Sequence, residues 1–102
     1  MPSKKNRIFN RSTLESFWTK HPSSESALRA WFDEAKTSSW HTTMDIKRFY
    51  PSASFIKGNK VIFNIGGNDF RLIVKIEYKL CMVFILFVGT HAEYDKIDAN
   101  TL

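Results

Sequence analysis

The sequence holds a single cysteine, Cys81. One thiol excludes an internal disulfide framework and a Cys-rich zinc site. Cys81 lies inside an apolar run, so it is expected to be a small buried hydrophobe, and such sparing use of cysteine fits a reducing, cytoplasmic setting. Glycine and proline are scarce too, with four and three residues in 102. The glycines form neither a phosphate loop nor a GxGxxG pattern; Gly66-Gly67-Asn68 reads as a turn. The longest apolar run, Leu80 to Val88, is much shorter than the ~20 residues a membrane-spanning helix needs. The first ten residues are polar and basic, with no apolar stretch of the signal-peptide kind. Neither a membrane role nor secretion is expected. Only three histidines are present, and His91 with Asp95 or Glu93 gives too few ligands for a metal site. No metal and no cofactor is therefore predicted.

What is present is positive charge and large rings. The formal net charge is +5. Residues 47–79 carry Lys47, Arg48, Lys57, Lys60, Arg71, Lys75 and Lys79 against Asp69 and Glu77, so this middle third accounts for all of it. A basic centre attracts a polyanion such as RNA, a phosphate ligand or an acidic partner, although a solvated basic surface has the same composition. Nine Phe and three Trp predict a core built on aromatic rings. The length is that of one domain. Residues 1–6, "MPSKKN", are expected to form a flexible basic leader, and residues 7–102 a single domain.

Periodicity places the elements. Residues 7–10, "RIFN", fit a short strand. Ser12 with Glu15 three residues on reads as a capping box for a helix whose Leu14, Phe17 and Trp18 share one face. "HP" at 21–22 ends that helix, because a residue preceding proline is pushed out of the α region. Ser23 or Ser24 is expected to cap a second helix, with Leu28, Trp31, Phe32 and Ala35 at amphipathic spacing. The short turn between the two predicts a helical hairpin. Thr42 or Thr43 is expected to cap a short third helix running to Tyr50. Strands follow: "SASFIK" and "KVIFNI" about Gly58-Asn59, then "DFRLIVKIEY" after Gly66-Gly67-Asn68, then "CMVFILFVG". The run after Gly89, "THAEYDKI", reads as a short helix or a turn leading to one. The expected class is α+β: an antiparallel meander packed against an N-terminal helical hairpin, with a short C-terminal helix.

Strand parity then selects candidate functional residues. From Phe70 to Glu77 the even positions are all apolar and are expected to face the helices. The odd positions put Arg71 and Lys75 on the other, open face. "CMVFILFV" lacks a polar residue on either side and is expected to be a central strand buried on both faces. It leads directly to His91. On a helix His91, Tyr94 and Asp95 share a side, and histidine is the residue type best suited to acid–base work near neutral pH. His21 and His41 flank helices and are read as structural.

The stretches "WTKHP", "RFYPSASFIKGNKVIFNIGGNDFRLIVKIEY" and "VFILFVGTHAEYDKIDA" resemble the HigB toxins, a branch of the RelE-like mRNA interferases of type II toxin–antitoxin systems. The resemblance implies a RelE-like α+β fold. It implies an endoribonuclease that inhibits translation by cutting mRNA on the ribosome, without metal, through attack of the ribose 2′-hydroxyl on the neighbouring phosphate. The implied partners are a cognate helix-turn-helix antitoxin, the ribosome and mRNA, with operator DNA reached only through the antitoxin complex. Carried onto this sequence, Arg71 is expected to stabilise the transition state and His91 to act as acid or base. Tyr94 is expected to stack or assist proton transfer, and Asp95 to orient His91. Arg48, Lys57, Lys60 and Lys75 are expected to position RNA. One position departs from the pattern: the family reads F-I-R-F-V-G-T-H where this chain has Leu86. By parity Leu86 sides with Phe84 and Val88, and an Arg there would face the cleft. The alternative reading is therefore a weakened or non-catalytic RNA- or ribosome-binding module, or a protein that only binds its antitoxin.

Overall fold

Alternation in the strands and 3.6-residue periodicity in the helices together give two layers. The computed structural model describes residues 4–102. In chain order the elements are β1 (Arg7–Phe9), α1 (Arg11–Lys20), α2 (Glu25–Thr37), α3 (Thr43–Lys47), β2 (Ser54–Ile56), β3 (Lys60–Ile65), β4 (Phe70–Glu77), β5 (Met82–Thr90) and α4 (His91–Asp95). Strands β2 to β5 form the expected antiparallel meander. The sheet as a whole is mixed, because β1 joins its far edge parallel to β5, giving the order β1-β5-β4-β3-β2. The long stretch between the two strands, which carries three α-helices and β2 to β4, allows that parallel return, which a tight hairpin does not.

The helix-facing side of the sheet follows the parity reading. Phe70, Leu72, Val74 and Ile76 are all buried and join Leu14, Phe17, Trp18, Leu28, Trp31 and Ala35 in one core. Fully burying a Leu, Val, Ile or Phe side chain of this set contributes about 1.5–3 kcal/mol. The rings cluster as composition predicts: Phe63 packs against Trp31 at 5.5 Å, Trp40 at 5.9 Å and Tyr50 at 5.0 Å between centroids. No helix among the described residues is long and apolar enough to cross a membrane.

Three local expectations are corrected. Helix α1 begins at Arg11, one residue before the expected cap at Ser12. Asn10 turns the chain in the left-handed region, with φ 72°, a conformation asparagine tolerates, and its amide donates to the Ile85 carbonyl at 3.2 Å. Ser12 therefore falls inside the first turn, and Glu15 pairs with Arg11 at 2.9 Å. Ser24 precedes α2 but does not cap it, because its hydroxyl donates to the His21 carbonyl at 2.7 Å. A 3-10 turn over Pro22–Ser24 feeds the helix instead. Of the two threonines, Thr42 is the cap of α3, in a reciprocal box with Asp45, and that helix stops at Lys47.

Residues 1–3 of the expected basic leader lie outside the described residues. Within the rest of it, Asn6 is an anchor: it is buried, its side-chain amide donates to the Ala35 carbonyl at 2.9 Å and its Oδ1 accepts from the Trp40 N–H at 3.0 Å.

Strand β5 departs from the expectation of burial on both faces. It lies one place in from the edge, and Met82, Phe84, Leu86 and Phe87 are only half-buried. Its register with β4 shifts: Ile73 pairs with Phe87 but Val74 pairs with Ile85, which leaves Leu86 as the extra residue of a β-bulge. A bulge inverts parity beyond it. Phe84 and Leu86 share the open face with Lys75, whereas Val88 lies opposite Leu72 in the helix-side core. The shared parity of Leu86 and Val88 is thus corrected.

Candidate active site

The site is organised by the turn between β3 and β4. Gly66 and Gly67 both have positive φ, 60° and 71°, the region glycine enters without steric cost. The turn presents two carbonyls. That of Asn68 accepts from Arg71 Nη1 at 3.0 Å, and that of Asp69 accepts from the His91 backbone N–H at 3.2 Å. One turn thereby ties the Arg71 guanidinium and the first residue of α4 to the same place. Arg71 also donates to the Phe70 carbonyl at 3.3 Å, and its Cζ lies over the Tyr94 ring at 5.8 Å.

Helix α4 has only five residues and needs help to form. Thr90 supplies it. The Thr90 hydroxyl accepts from the Glu93 N–H at 3.1 Å, and the Glu93 carboxylate accepts from the Thr90 N–H at 2.8 Å. The Thr90 N–H is the main reason the Glu93 carboxyl sits below the ordinary glutamate range; the Thr90 hydroxyl and the charges of His21 and Lys20 act in the same direction. The cap starts the helix at His91, so His91 Nε2 and Asp95 Oδ2 meet one turn apart at 3.5 Å, both more than half exposed. Gly89, opposite Arg71 in the sheet, is required by close approach: a Cβ there would stand 2.5 Å from Cζ of Phe87 and 3.2 Å from Cβ of Glu93.

Arg71, His91, Tyr94 and Asp95 are thus gathered at one end of the open face. The expected RNA-positioning cations are not gathered equally. Lys75 is exposed on that face, four residues along β4 from Arg71. Lys57 is exposed in the β2–β3 turn. Lys60 is buried, and its ammonium donates to the carbonyls of Ala99 and Asn100, both at 3.1 Å. Arg48 lies just past α3 in a depression with Trp40, Asp45 and Phe49, away from the Arg71 end of the sheet. His21 stacks on Phe17 at 4.4 Å, and His41 lies 3.7 Å from the sulfur of Cys81. Among the described residues no three His, Cys, Asp or Glu side chains converge.

Sequence reasoning passed over the capping pair and the turn carbonyls. Thr90-x-x-Glu93 carries the capping-box signature and was readable. The Asn68 and Asp69 carbonyls are backbone groups, and nothing in a sequence singles them out.

The profile of the HigB toxins, described as the RelE-like toxic component of a toxin–antitoxin system, matches residues 24–97. The chain belongs to the HigB toxin family. It is 27% identical over 92 residues to the mRNA interferase HigB of Escherichia coli O6:H1, covering 88% of this chain and 89% of that protein. It is 24% identical over 94 residues to the mRNA interferase toxin HigB of Escherichia coli K12, covering 90% of each, and equally similar to the mRNA interferase HigB of Shigella flexneri. The matched stretch contains the β3–β4 turn, Arg71 and α4. As a member of a toxin–antitoxin family, the chain has an antitoxin as its implied partner.

Proposed function

We propose that this chain is a cytoplasmic endoribonuclease toxin that cuts mRNA on the ribosome, with residues 7–102 acting as one RelE-like domain under the control of a helix-turn-helix antitoxin. The carrying observation is the convergence of Arg71, Tyr94 and the His91–Asp95 pair at one end of a cationic sheet face, in a chain of this family. Its relatives are named mRNA interferases.

The residues suit transesterification at phosphorus. The ribose 2′-hydroxyl attacks the adjacent phosphate, the 2′-proton passes to a base, and the 5′-oxygen leaves with a proton from an acid. The products carry a 2′,3′-cyclic phosphate and a 5′-hydroxyl. His91 serves as acid or base, with Asp95 holding its ring. Arg71 offers its remaining guanidinium N–H groups to the charge that develops on the phosphate oxygens. Tyr94 offers a ring for a base to stack on and a hydroxyl for proton transfer. Lys75 and Lys57 attract the RNA strand; for Lys60 to do so, the C-terminal segment must first release it.

The test is cleavage of ribosome-bound mRNA by protein expressed without antitoxin, with the ends mapped chemically. Cyclic phosphate ends and growth arrest are expected. Intact mRNA, or ends with a free 3′-hydroxyl, would sink the proposal. Leu86 favours a second reading, an RNA-binding module with weak or no cleavage: it places an apolar side chain on the open face where the family pattern has a cation.

A further inference from the structure

The bulge in β5 has created a second recess on the open face, away from the Arg71 end. Phe84, Leu86, Lys75, Glu77 and Asn10 line an open depression of about 440 Å³. We propose that it seats one unstacked nucleobase of single-stranded RNA, selecting bases that carry an exocyclic amine. This inference rests on the RNA-cleaving reading above and extends it to a nucleotide flanking the cut.

Its apolar wall is suited to a flat ring. Phe84 stacks on Phe9, with centroids 5.0 Å apart and planes 16° from parallel. One side of Phe84 is therefore occupied, and its remaining surface is turned to the depression, which it lines together with Leu86. Both side chains are half-buried, and the bulge is what brings Leu86 to the side of Phe84. A base entering here would extend a stack that already has two members. Stacking of a base on an aromatic side chain contributes ~1–3 kcal/mol and tolerates any base, so discrimination must come from the rim.

The rim is polar and uncommitted. Among the described residues neither Lys75 nor Glu77 takes part in a salt bridge or a side-chain hydrogen bond. Asn10 donates its amide to the Ile85 carbonyl, which leaves its Oδ1 free to accept. Glu77 thus presents acceptors only, and Asn10 adds its Oδ1 acceptor beside the second N–H of its amide. A carboxylate pairs with the exocyclic amine of cytosine, and the amine of adenine offers the same donor; uracil has none. Lys75 supplies the charge for the phosphate. It lies on the strand and face of Arg71, four residues along, or ~13 Å at strand rise. RNA with its scissile phosphate at Arg71 therefore meets Lys75 a few nucleotides away. This continuity with the Arg71 end favours RNA over an apolar side chain of a protein partner.

The experiment uses the full chain and short single-stranded RNAs carrying one 2-aminopurine, free and loaded on ribosomes. Binding is read as fluorescence change, and fold is checked by circular dichroism. Phe84→Leu, which keeps apolar volume but removes the ring, is expected to weaken binding about tenfold. Phe84→Tyr is expected to restore it. Glu77→Gln is expected to erase the preference for cytosine over uracil at the seated position. If Phe84→Leu binds like the parent while the parent cleaves mRNA, the base seat is overturned and the nuclease reading stands. If Phe84→Leu loses antitoxin affinity alone, the recess is a protein seat and the inference falls. If the parent binds RNA in neither form, both readings fall together.

Discussion

The two faces of the sheet obey different rules, and β4 displays both within two neighbouring residues. Leu72 points into the helix-side core and is fully buried; Arg71 points the other way, beneath Tyr94. On the helix side every β4 position is apolar and buried, and one requirement, removal from water, decides each residue. The open face mixes Arg71, the fully buried Ile73, the exposed Lys75 and Glu77 in sequence. No single requirement explains that series. Ile62 and Ile73 are buried there although they lie outside the helix-side core, and the segment Lys60 holds through Ala99 and Asn100 reaches the same face. The face is thus partly closed by the segment around residues 99 and 100, while its β4–β5 flank and the Arg71 end remain accessible.

The sharpest way to break this comparison is to change the two neighbours separately. Leu72→Ala should cost about 2–5 kcal/mol of stability while leaving the activity of the folded fraction intact. Arg71→Ala should lower cleavage by ~10²-fold or more and change the melting temperature little, since substitutions outside the core usually stay within about 0.5 kcal/mol. Denaturant melts and cleavage assays on both proteins decide it. If Arg71→Ala unfolds the protein but spares cleavage, the guanidinium is a structural clasp for the β3–β4 turn.

The His91–Asp95 pair gives the next effects in size. His91→Gln should slow cleavage about 10²-fold if the imidazole moves a proton. Asp95→Asn should cost less than about fivefold, because a histidine–carboxylate contact this exposed is screened and worth ~1 kcal/mol at most. Equal losses for the two would mean that Asp95 itself contacts the reacting groups.

Leu86 tests where the proposed catalytic end of the open face stops. The bulge places it between the register positions of Ile73 and Val74, two to three residues along β4 from Arg71. Leu86→Arg should raise mRNA cleavage and growth arrest about tenfold by adding a second cation near the phosphate. Stability should shift by no more than about 0.5 kcal/mol, because the position is half-exposed. Equal and strong toxicity of both proteins would put position 86 outside the catalytic set, and equal absence of cleavage would support the binding-module reading.

What could be read in advance divides along the same two faces. The helices, the four-strand meander and the even positions of β4 were legible because apolar periodicity reports burial directly. The grouping of His91, Tyr94 and Asp95 was legible because helical spacing alone brings i, i+3 and i+4 together. The parallel return of β1, the bulge at Leu86 and the burial of Lys60 were not. Each depends on pairing between distant segments: Phe9 with Phe84, Ile85 with Val74, Lys60 with the carbonyls of residues 99 and 100. An all-apolar strand such as "CMVFILFV" also carries no alternation from which a bulge could be noticed. Misreading the cap of α1 had a smaller cause, since Asn10 turns the chain one residue earlier than a serine cap would.

The smallest predicted effect concerns the cap that sets α4 on the open face. The Thr90 N–H donated to its carboxylate holds Glu93 below the ordinary glutamate range. A carboxyl whose value is depressed by folding stabilises the folded form above its unfolded value, ~4.3, and loses that contribution as pH falls through the folded value. The α4 cap should therefore be intact at neutral pH and weaken only under acid conditions, below about pH 4.3. Glu93 is exposed, so screening keeps the energy small and the change local. The Thr90 amide resonance should titrate below that pH in the parent. In Glu93→Gln it should not, because glutamine can complete the same box without an ionisable group. Cleavage near neutral pH should be the same for both proteins. A Thr90 amide that fails to titrate would mean that Glu93 does not hold the cap, and a Glu93→Gln protein that loses cleavage while its α4 stays ordered would place Glu93 with His91 in the proposed set of reacting groups.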